Sequence, residues 1–271
     1  MADEPPVGPP SQTDLEASES PQAGQRQTFA QRWAQPVDSK HADLICLVLC
    51  LVTGLCDSAS YNAWSCFLAM QTGNTIFLGL GASNQPPGKP WGWLKSLVSI
   101  IFFFGGSFTF ANLTRRFNPI SRGTLFVSFL VQTLLIIIAV ALIEASLIPH
   151  SEATTPRVFL ELIPIALLAF QSAGSITASR ALGYNEIPTV VLTSVYFDIA
   201  SDQSLGAAPR GNVKRNHRLG GVAMVLVGGI AGGGLSRSRG EMQSALWMAA
   251  GMKFCVAVGW WVWRGEVKGG R

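Results

Sequence analysis

The sequence predicts an all-α fold: a polytopic transmembrane helix bundle of six full spans plus two short interrupted or re-entrant segments. Three observations predict this class. Of 271 residues, 48% are hydrophobic and only 13% are charged, whereas about a quarter of a soluble domain is charged. Long apolar runs recur along the chain, and the run at 123–148 has no polar face, which is typical of a helix surrounded by lipid. Two further apolar runs are short and polar in the middle.

The first 40 residues differ from the rest of the chain because they are rich in Pro, Ser, Gln and acidic residues. Such a composition cannot bury enough apolar surface to offset the entropy of ordering the chain. No basic stretch followed by an apolar core is present, so a secretory signal is not predicted. We therefore expect a disordered cytosolic tail at 1–40 and a transmembrane domain at 41–271.

Eight apolar runs follow the tail, and six of them reach or approach the length of a span, about 20 residues. The two exceptions are 64–81 and 187–200, which are shorter and interrupted. The runs are 43–61, 64–81, 91–113, 123–148, 158–179, 187–200, 219–235 and 242–263.

Two topologies fit these runs. The short runs either dip into the membrane and return, which leaves six spans, or cross it, which makes eight. Lysines and arginines in the loops place both termini in the cytosol under either topology. The length and polarity of the short runs favour six spans. The sequence does not indicate which membrane holds the protein.

The two halves of the domain, 43–148 and 158–263, share one order: long run, short interrupted run, long run, long run. Within the short runs, Thr72 aligns with Thr193 and Gly73 with Ser194. With three spans per half, the second half enters from the opposite face. That arrangement is an inverted repeat, which is common among secondary transporters.

The first short run contains the polar stretch 71–75, with the sequence QTGNT. Asn and Thr side chains compete for backbone hydrogen bonds, and Gly adds conformational freedom. We therefore predict that the backbone leaves the helix at 72–75. Because unpaired backbone groups cannot face lipid, this stretch marks either a helix–helix contact or a solute path.

The segment "GLCDSASYNAWSCFLAMQTGNTIFLGLG" (54–81) resembles the opening signature of the YoaK-like membrane proteins, a bacterial and fungal family of unknown function. Its Gly-x-x-Asp element corresponds to Gly54 and Asp57, and its Met-Thr-Gly-Asn-Thr element corresponds to 70–75 with Gln71 inserted. A second block is similar to "FQSA" (170–173), "RALG" (180–183) and "TVVLTS" (189–194), where Ser172 and Ser194 depart from the family pattern. The resemblance implies a membrane protein of six or more helices, without an established activity.

Lys253 is the most informative charged residue, because it lies about ten residues from either end of the last apolar run. An ammonium at that depth should pair with an acid, and we expect Asp57 or Asp198 to be that acid. The pair would either fix helix register or carry charge for transport. Glu144 and Glu161 lie near run ends and are expected at the membrane interface.

The run 219–235 contains two small-xxx-small spacings, Gly228/Gly232 and Gly229/Gly233. Such spacings allow helices to approach closely. We expect this contact to lie within the chain, and the alternative is a homo-oligomer that forms through this helix.

No motif of a hydrolase, nucleotide-binding loop, metal site or cofactor site is recognisable, so we predict no enzyme, cofactor or metal. The five cysteines lie in apolar runs and are expected to be small buried hydrophobes. The net charge of +4 reflects loop orientation and does not predict binding to nucleic acid. The lipid bilayer is the expected partner.

Our functional hypothesis is a secondary transporter or channel-like permease for a small solute, with the two short segments meeting near the midplane. The alternatives are a non-transporting membrane scaffold or assembly protein and, third, a membrane-embedded enzyme. The predicted solute-binding residues are Thr72, Gly73, Asn74, Thr75, Thr193, Asp57, Asp198 and Lys253.

Overall fold

The computed structural model describes residues 28–85, 91–145, 147, 157–238 and 240–266. Over these residues the chain is α-helical, with short 3₁₀ turns and two isolated β-bridges. The α-helices are α1 Phe29–Ala34, α2 Ala42–Trp64, α3 Gln71–Ala82, α4 Gly92–Arg116, α5 Arg122–Glu144, α6 Leu162–Ala181, α7 Thr193–Ala200, α8 Val213–Leu235 and α9 Glu241–Val262.

Six of these helices are long and apolar enough to cross a membrane: α2, α4, α5, α6, α8 and α9. The other two in the bundle are too short. The 12 residues of α3 and the 8 of α7 extend about 18 Å and 12 Å, against an apolar thickness of about 30 Å. The predicted all-α bundle of six spans and two short segments is confirmed.

Polar residues set several helix boundaries. The Ser121 side chain accepts a hydrogen bond from the Thr124 amide and caps α5, and Asn212 caps α8 through the Arg215 amide. Helix α2 ends at Ser65, which adopts a left-handed conformation with φ of 52°. The chain therefore turns sharply after Trp64 and re-enters the bundle.

Residues 65–82 form the first re-entrant hairpin. Its descending limb reaches the middle of α6, where the Ser172 hydroxyl donates to the Leu68 carbonyl at 3.1 Å. Helix α3 then returns along α4. Near its start the Asn74 amide nitrogen donates to Ser99 Oγ at 3.0 Å, and near its end Gly81 lies against Trp93. We refer to the end of the bundle where this hairpin begins and ends as the far face.

Residues 183–200 form the second re-entrant hairpin, which enters from the opposite end. Its tip reaches the middle of α2, where the Thr53 hydroxyl donates to the Thr189 carbonyl at 2.7 Å. Helix α7 then returns along α8. This end also carries both described chain ends, because Asp38 N donates to Arg264 O at 2.9 Å, and we refer to it as the terminal face.

Helix packing relates the two halves by a pseudo-two-fold axis. Helix α2 packs on α8 as α6 packs on α4, α9 packs on α2 as α5 packs on α6, and α5 and α9 pack on each other. The two hydrogen bonds at the hairpin tips, Ser172 to Leu68 and Thr53 to Thr189, occupy equivalent places. Because each half has three spans, the second half is inverted relative to the first, as the sequence predicted.

Glycines make the equivalent close helix crossings. A Cβ atom at Gly106 would lie 2.3 Å from the Phe170 carbonyl oxygen, and one at Gly228 would lie 2.2 Å from the Leu51 carbonyl oxygen. Helices α4 and α8 therefore contact the first helix of the other half backbone to backbone. Gly232 also packs on α2, whereas Gly229 and Gly233 face open space. The first glycine pair serves intramolecular packing, and a homo-oligomer through the second pair stays a prediction.

Two apolar cores fill the bundle. The far-face core contains Leu55, Ile136 and Leu246, and the terminal-face core contains Phe129 and Trp260. All five side chains are fully buried. The level between the two cores is polar, and Lys253 lies there.

The predicted disorder of 1–40 is wrong for its last part. Residues 28–40 are ordered, because Thr28 and Gln31 form a capping box at the start of α1, and Phe29 and Trp33 contact Trp261. Residues 1–27 lie outside the described part of the chain. Their predicted disorder stays a prediction.

A backbone clasp joins this ordered segment to α5 and α9. Val37 N donates to Ile120 O, Arg122 N donates to Gln35 O, and Asp38 N donates to Arg264 O, at 2.9–3.0 Å. The clasp therefore links the start of α5 to the end of α9 at the terminal face.

We predict that Gly228→Ala lowers the free energy of unfolding by about 2–3 kcal/mol, because the new methyl group would overlap the rigid Leu51 carbonyl. The melting temperature of the purified protein in detergent measures this. Gly229→Ala is the matched control: it lies one residue further along, with no atom within 4 Å, and alanine favours helix. Equal losses in both variants would contradict the described packing of α8 on α2.

Candidate functional site

The first hairpin is held by Asn74, the only residue of α3 that is fully buried. Its side-chain oxygen accepts from the Phe67 amide at 3.1 Å. Its side-chain nitrogen donates to Phe67 O at 2.8 Å, Gln71 Oε1 at 2.9 Å and Ser99 Oγ at 3.0 Å. Asn74 therefore joins the descending limb, α3 and α4.

Asp57 supports the tip of the same hairpin. Its carboxylate accepts the backbone amides of Leu68 at 2.7 Å, Ala69 at 2.9 Å and Met70 at 3.1 Å. These amides precede α3 and have no partner within a helix, so the carboxylate replaces a helix cap. Charge-assisted hydrogen bonds of this kind are stronger than neutral ones.

The predicted position of the backbone break is wrong by one turn. Residues 71–75 begin helix α3, and the chain is non-helical over 65–70 instead. The polar side chains of this stretch do bond to backbone, as expected. They do so at a helix start, where the Thr75 hydroxyl donates to Gln71 O at 2.8 Å and the Gln71 side-chain nitrogen, Nε2, donates to Leu68 O at 3.0 Å.

The other predicted residues of the first hairpin lie on its outer side. Thr72 and Thr75 are exposed on α3. Gly73 faces Phe67, because a Cβ atom there would lie 2.8 Å from the Phe67 ring. That ring stacks on Tyr61, with centroids 4.9 Å apart. The role of Thr72, Gly73 and Thr75 in binding a solute stays a prediction.

Lys253 does not pair with an acid, which corrects our expectation. Its ammonium donates to Gln132 Oε1 at 2.6 Å, Gln171 Oε1 at 2.5 Å and Ser175 Oγ at 3.0 Å. All three partners are uncharged, and Lys253 is only 1% exposed. The cation therefore lies buried among neutral oxygens that come from α5 and α6.

The two expected partners of Lys253 are engaged elsewhere. Asp57 binds the amides of the first hairpin, as described above. Asp198 lies on α7 at the terminal face, where Arg218 Nη2 is 3.4 Å from Asp198 Oδ2 and Arg218 Nη1 is 3.8 Å from Asp202 Oδ2. A hydrogen bond from the Asn212 side chain lowers the pKa of the Asp202 carboxyl.

The two short helices do not meet, although we expected them to meet near the midplane. Helix α3 packs on α4, and α7 packs on α8. Each hairpin tip bonds instead to the first helix of the opposite half, through Ser172 or Thr53. Thr193, the first residue of α7, is exposed. The predicted residues therefore form three separate groups: the first hairpin, the Lys253 centre and the start of α7.

A buried ion pair at the far face was not predicted. Lys95 Nζ lies 2.5 Å from Glu161 Oε2, and the side chains are 4% and 0% exposed. Lys95 and Glu161 lie near the starts of the runs 91–113 and 158–179, and Glu161 was expected at the membrane interface. The signal that would have found them is the repeat itself, since His217 and Asp43 occupy the equivalent places in the other half.

One cavity lies between α4 and α5 and is lined by none of the predicted solute-binding residues. It measures about 310 Å³ and is almost entirely apolar. Its lining includes Phe110, Leu113, Val131 and Phe170, and Trp33 closes its end at the terminal face. Within the described ranges, no group of three or more His, Cys, Asp or Glu side chains is placed to hold a metal ion.

Comparison with known proteins identifies the family. Residues 45–259 match the family described as protein of unknown function (DUF1275), with which the YoaK-like resemblance of 54–81 agrees. No curated protein and no solved structure matches the chain. The match covers all six spans and both hairpins except the outer ends of the first and last helices. The chain therefore belongs to the DUF1275 family, and its six long apolar helices are those of a multi-pass membrane protein.

Proposed function

We propose that this protein is a secondary permease for a small solute. The observation that carries the proposal is the inverted pair of re-entrant hairpins. Each brings the start of a short helix and a non-helical backbone segment to the middle of a spanning helix of the other half. Secondary transporters build their sites from such discontinuous helices at the interface of inverted repeats.

Lys253 gives the proposed pathway its charge. A buried ammonium without an anionic partner is costly in a membrane interior, and such residues commonly belong to ion or solute pathways. Lys253 of α9 lies at the centre of the bundle beside Gln132 of α5, the other half's equivalent helix. In this proposal, the solute replaces the oxygens of Gln132 and Gln171 as a hydrogen-bond partner of the Lys253 ammonium when the pathway opens.

The proposed movement is a rocking of packed helices about the pseudo-two-fold axis. Lys253 is sealed from both faces by the two apolar cores, which corresponds to an occluded state in this scheme. The glycine crossings at Gly106 and Gly228 present smooth backbone surfaces. Such surfaces allow neighbouring helices to slide with little change in side-chain packing.

We predict that Lys253→Met abolishes solute flux, because methionine fills a similar volume without the charge. The protein is reconstituted in liposomes and tested with labelled amino acids, monocarboxylates, sugars, polyols and nucleobases. For a solute that wild type moves, Lys253→Met should reduce the initial rate at least about tenfold. Lys214→Met, which removes an exposed lysine, should retain the wild-type rate.

A matched melting temperature of the two lysine variants shows whether folding is preserved. Wild-type liposomes that move none of these solutes above empty liposomes would contradict the permease. Flux in wild type with an unchanged rate in a folded Lys253→Met variant would remove Lys253 from the pathway.

A non-transporting scaffold is the second candidate function, and one observation favours it. The side chain of Asn74 is fully engaged by protein groups, as expected of a residue that only joins helices. Substitutions of Asn74 and Thr72 therefore distinguish the permease from the scaffold. Asn74 is buried and hydrogen-bonded, whereas Thr72 is exposed.

We predict that Asn74→Ala lowers the free energy of unfolding by about 3 kcal/mol, because buried partners at Phe67 and Ser99 lose their bonds. Thr72→Ala should change it by less than about 0.5 kcal/mol. Melting temperature measures both. If Thr72→Ala also abolishes flux while remaining folded, the exposed face of α3 belongs to the solute site. A stable Asn74→Ala variant would contradict the described clamp.

A further inference from the structure

A buried ion pair joins two helices at the far face of the bundle. Lys95 lies in the first turn of α4, and Glu161 immediately precedes α6. Lys95 also donates to the carbonyl of Trp64, the last residue of α2, at 3.4 Å. We call Lys95 and Glu161 the far-face lock, because the pair joins the far ends of α4 and α6 and the end of α2.

The terminal face has an equivalent arrangement with a different cation. His217 lies in the second turn of α8, and its Nε2 is 3.4 Å from Asp43 Oδ2 in the first turn of α2. Its Nδ1 is 2.8 Å from Glu186 Oε1 at the entrance to the second hairpin. We call His217, Asp43 and Glu186 the terminal-face lock, since α8 and α2 correspond to α4 and α6 in the repeat.

The two locks differ in chemistry and in exposure. A lysine ordinarily stays charged throughout the physiological pH range, whereas histidine is the side chain that gains and loses a proton within it. The far-face side chains are almost completely buried. Those of the terminal-face lock are 14–23% exposed. Protons from the aqueous phase can therefore reach His217.

The geometry of His217 makes both links depend on one proton. The protonated ring carries a proton on both nitrogens, so it hydrogen-bonds Glu186 through Nδ1 and forms an ion pair with Asp43 on the Nε2 side. When the proton leaves to water, one ring nitrogen becomes an acceptor and faces a carboxylate oxygen. One link is then lost, and two carboxylates remain without a cation between them, which is repulsive.

We propose that His217 is a proton-binding site that controls opening of the bundle at the terminal face. Protonation closes the lock between α8, α2 and the second hairpin, and deprotonation releases it. The inference rests on the proposed permease, for which it names the proton as the controlling ion. The far-face lock carries a lysine in place of the histidine.

Within the part of the chain that the structure describes, no lysine or arginine forms an ion pair with Asp43 or Glu186. Arg218, the next residue of α8, faces Asp198 and Asp202, and Lys214 is exposed. The Tyr184 ring packs edge-on against the His217 ring, with centroids 5.6 Å apart. Among the described residues, the titratable groups in contact with His217 from other elements are Asp43 on α2 and Tyr184 and Glu186 before α7. Cys46 follows Asp43 one turn along α2.

A native cysteine behind the lock provides the test. Cys50 is fully buried and donates to the carbonyl of Pro188 at the tip of the second hairpin. A chain that keeps Cys50 and has the other four cysteines replaced by alanine is placed in lipid nanodiscs. Its rate of alkylation by N-ethylmaleimide is measured from pH 5.5 to 8.5, beside the same chain with His217→Lys.

The ratio of the two rates at each pH cancels the ionisation of the thiol itself. We divide the alkylation rate of the chain with His217 by that of the chain with His217→Lys. This ratio should be near one at pH 5.5, because both chains then hold a cation in the lock. It should rise to about fivefold at pH 8.5, where only the lysine chain remains closed. A ratio that stays constant across this range would overturn the proposal.

Two controls define the outcome. The far-face control keeps Cys66 as the single cysteine, since it is buried beside Asn74, and its ratio should not change with pH. If the single-cysteine chains do not fold, amide hydrogen exchange of residues 183–192 is measured in the full chain. The exchange rate of wild type divided by that of His217→Arg then replaces the alkylation ratio at each pH. Neither readout needs a solute, so an absence of solute flux would contradict the permease and leave the result on His217 standing.

Discussion

The structure depends on one constraint: a backbone polar group inside the apolar layer must find its partner within the protein. Six spans satisfy it by being helical. The two hairpins satisfy it with side chains, because Asp57 accepts three consecutive amides at one tip and Asn74 binds both backbone groups of Phe67. The carbonyls of Leu68 and Thr189 receive hydroxyls from the opposite half. The hydrogen bonds that satisfy the backbone of the hairpins therefore also join the two halves of the bundle.

The pseudo-two-fold axis is followed closely by the backbone and less closely by the chemistry. Glycines cross equivalent helices at equivalent heights, and basic side chains, Lys95 and His217, occupy equivalent places at the two faces. At the centre, one half contributes Lys253 and the other Gln132. The tip of the first hairpin is held by the Asp57 carboxylate, whereas the tip of the second is held by the hydroxyl of Thr53. An inverted repeat with unequal centres has two distinguishable faces, which a directional function requires.

Hydropathy and length predicted the six spans, the two short segments and the inverted repeat, because these depend on composition summed over many residues. The partners of single polar residues were not predictable in the same way. Lys253 has neutral partners because Gln132, Gln171 and Ser175 converge from helices whose rotation the sequence does not define. The break before α3 was placed one turn late, because a polar stretch favours a helix start as well as a helix end. The proposed solute site stays a prediction.

The clasp between the chain ends has a mechanical consequence. Backbone hydrogen bonds tie residues 35–38 to the start of α5 and to the end of α9, and α5 and α9 are the two helices that pack on each other across the axis. The clasp therefore fixes α5 and α9 relative to each other at the terminal face. Any widening of the bundle at that face must come from movement of the outer pairs, α2 with α8 and α4 with α6, around this fixed pair.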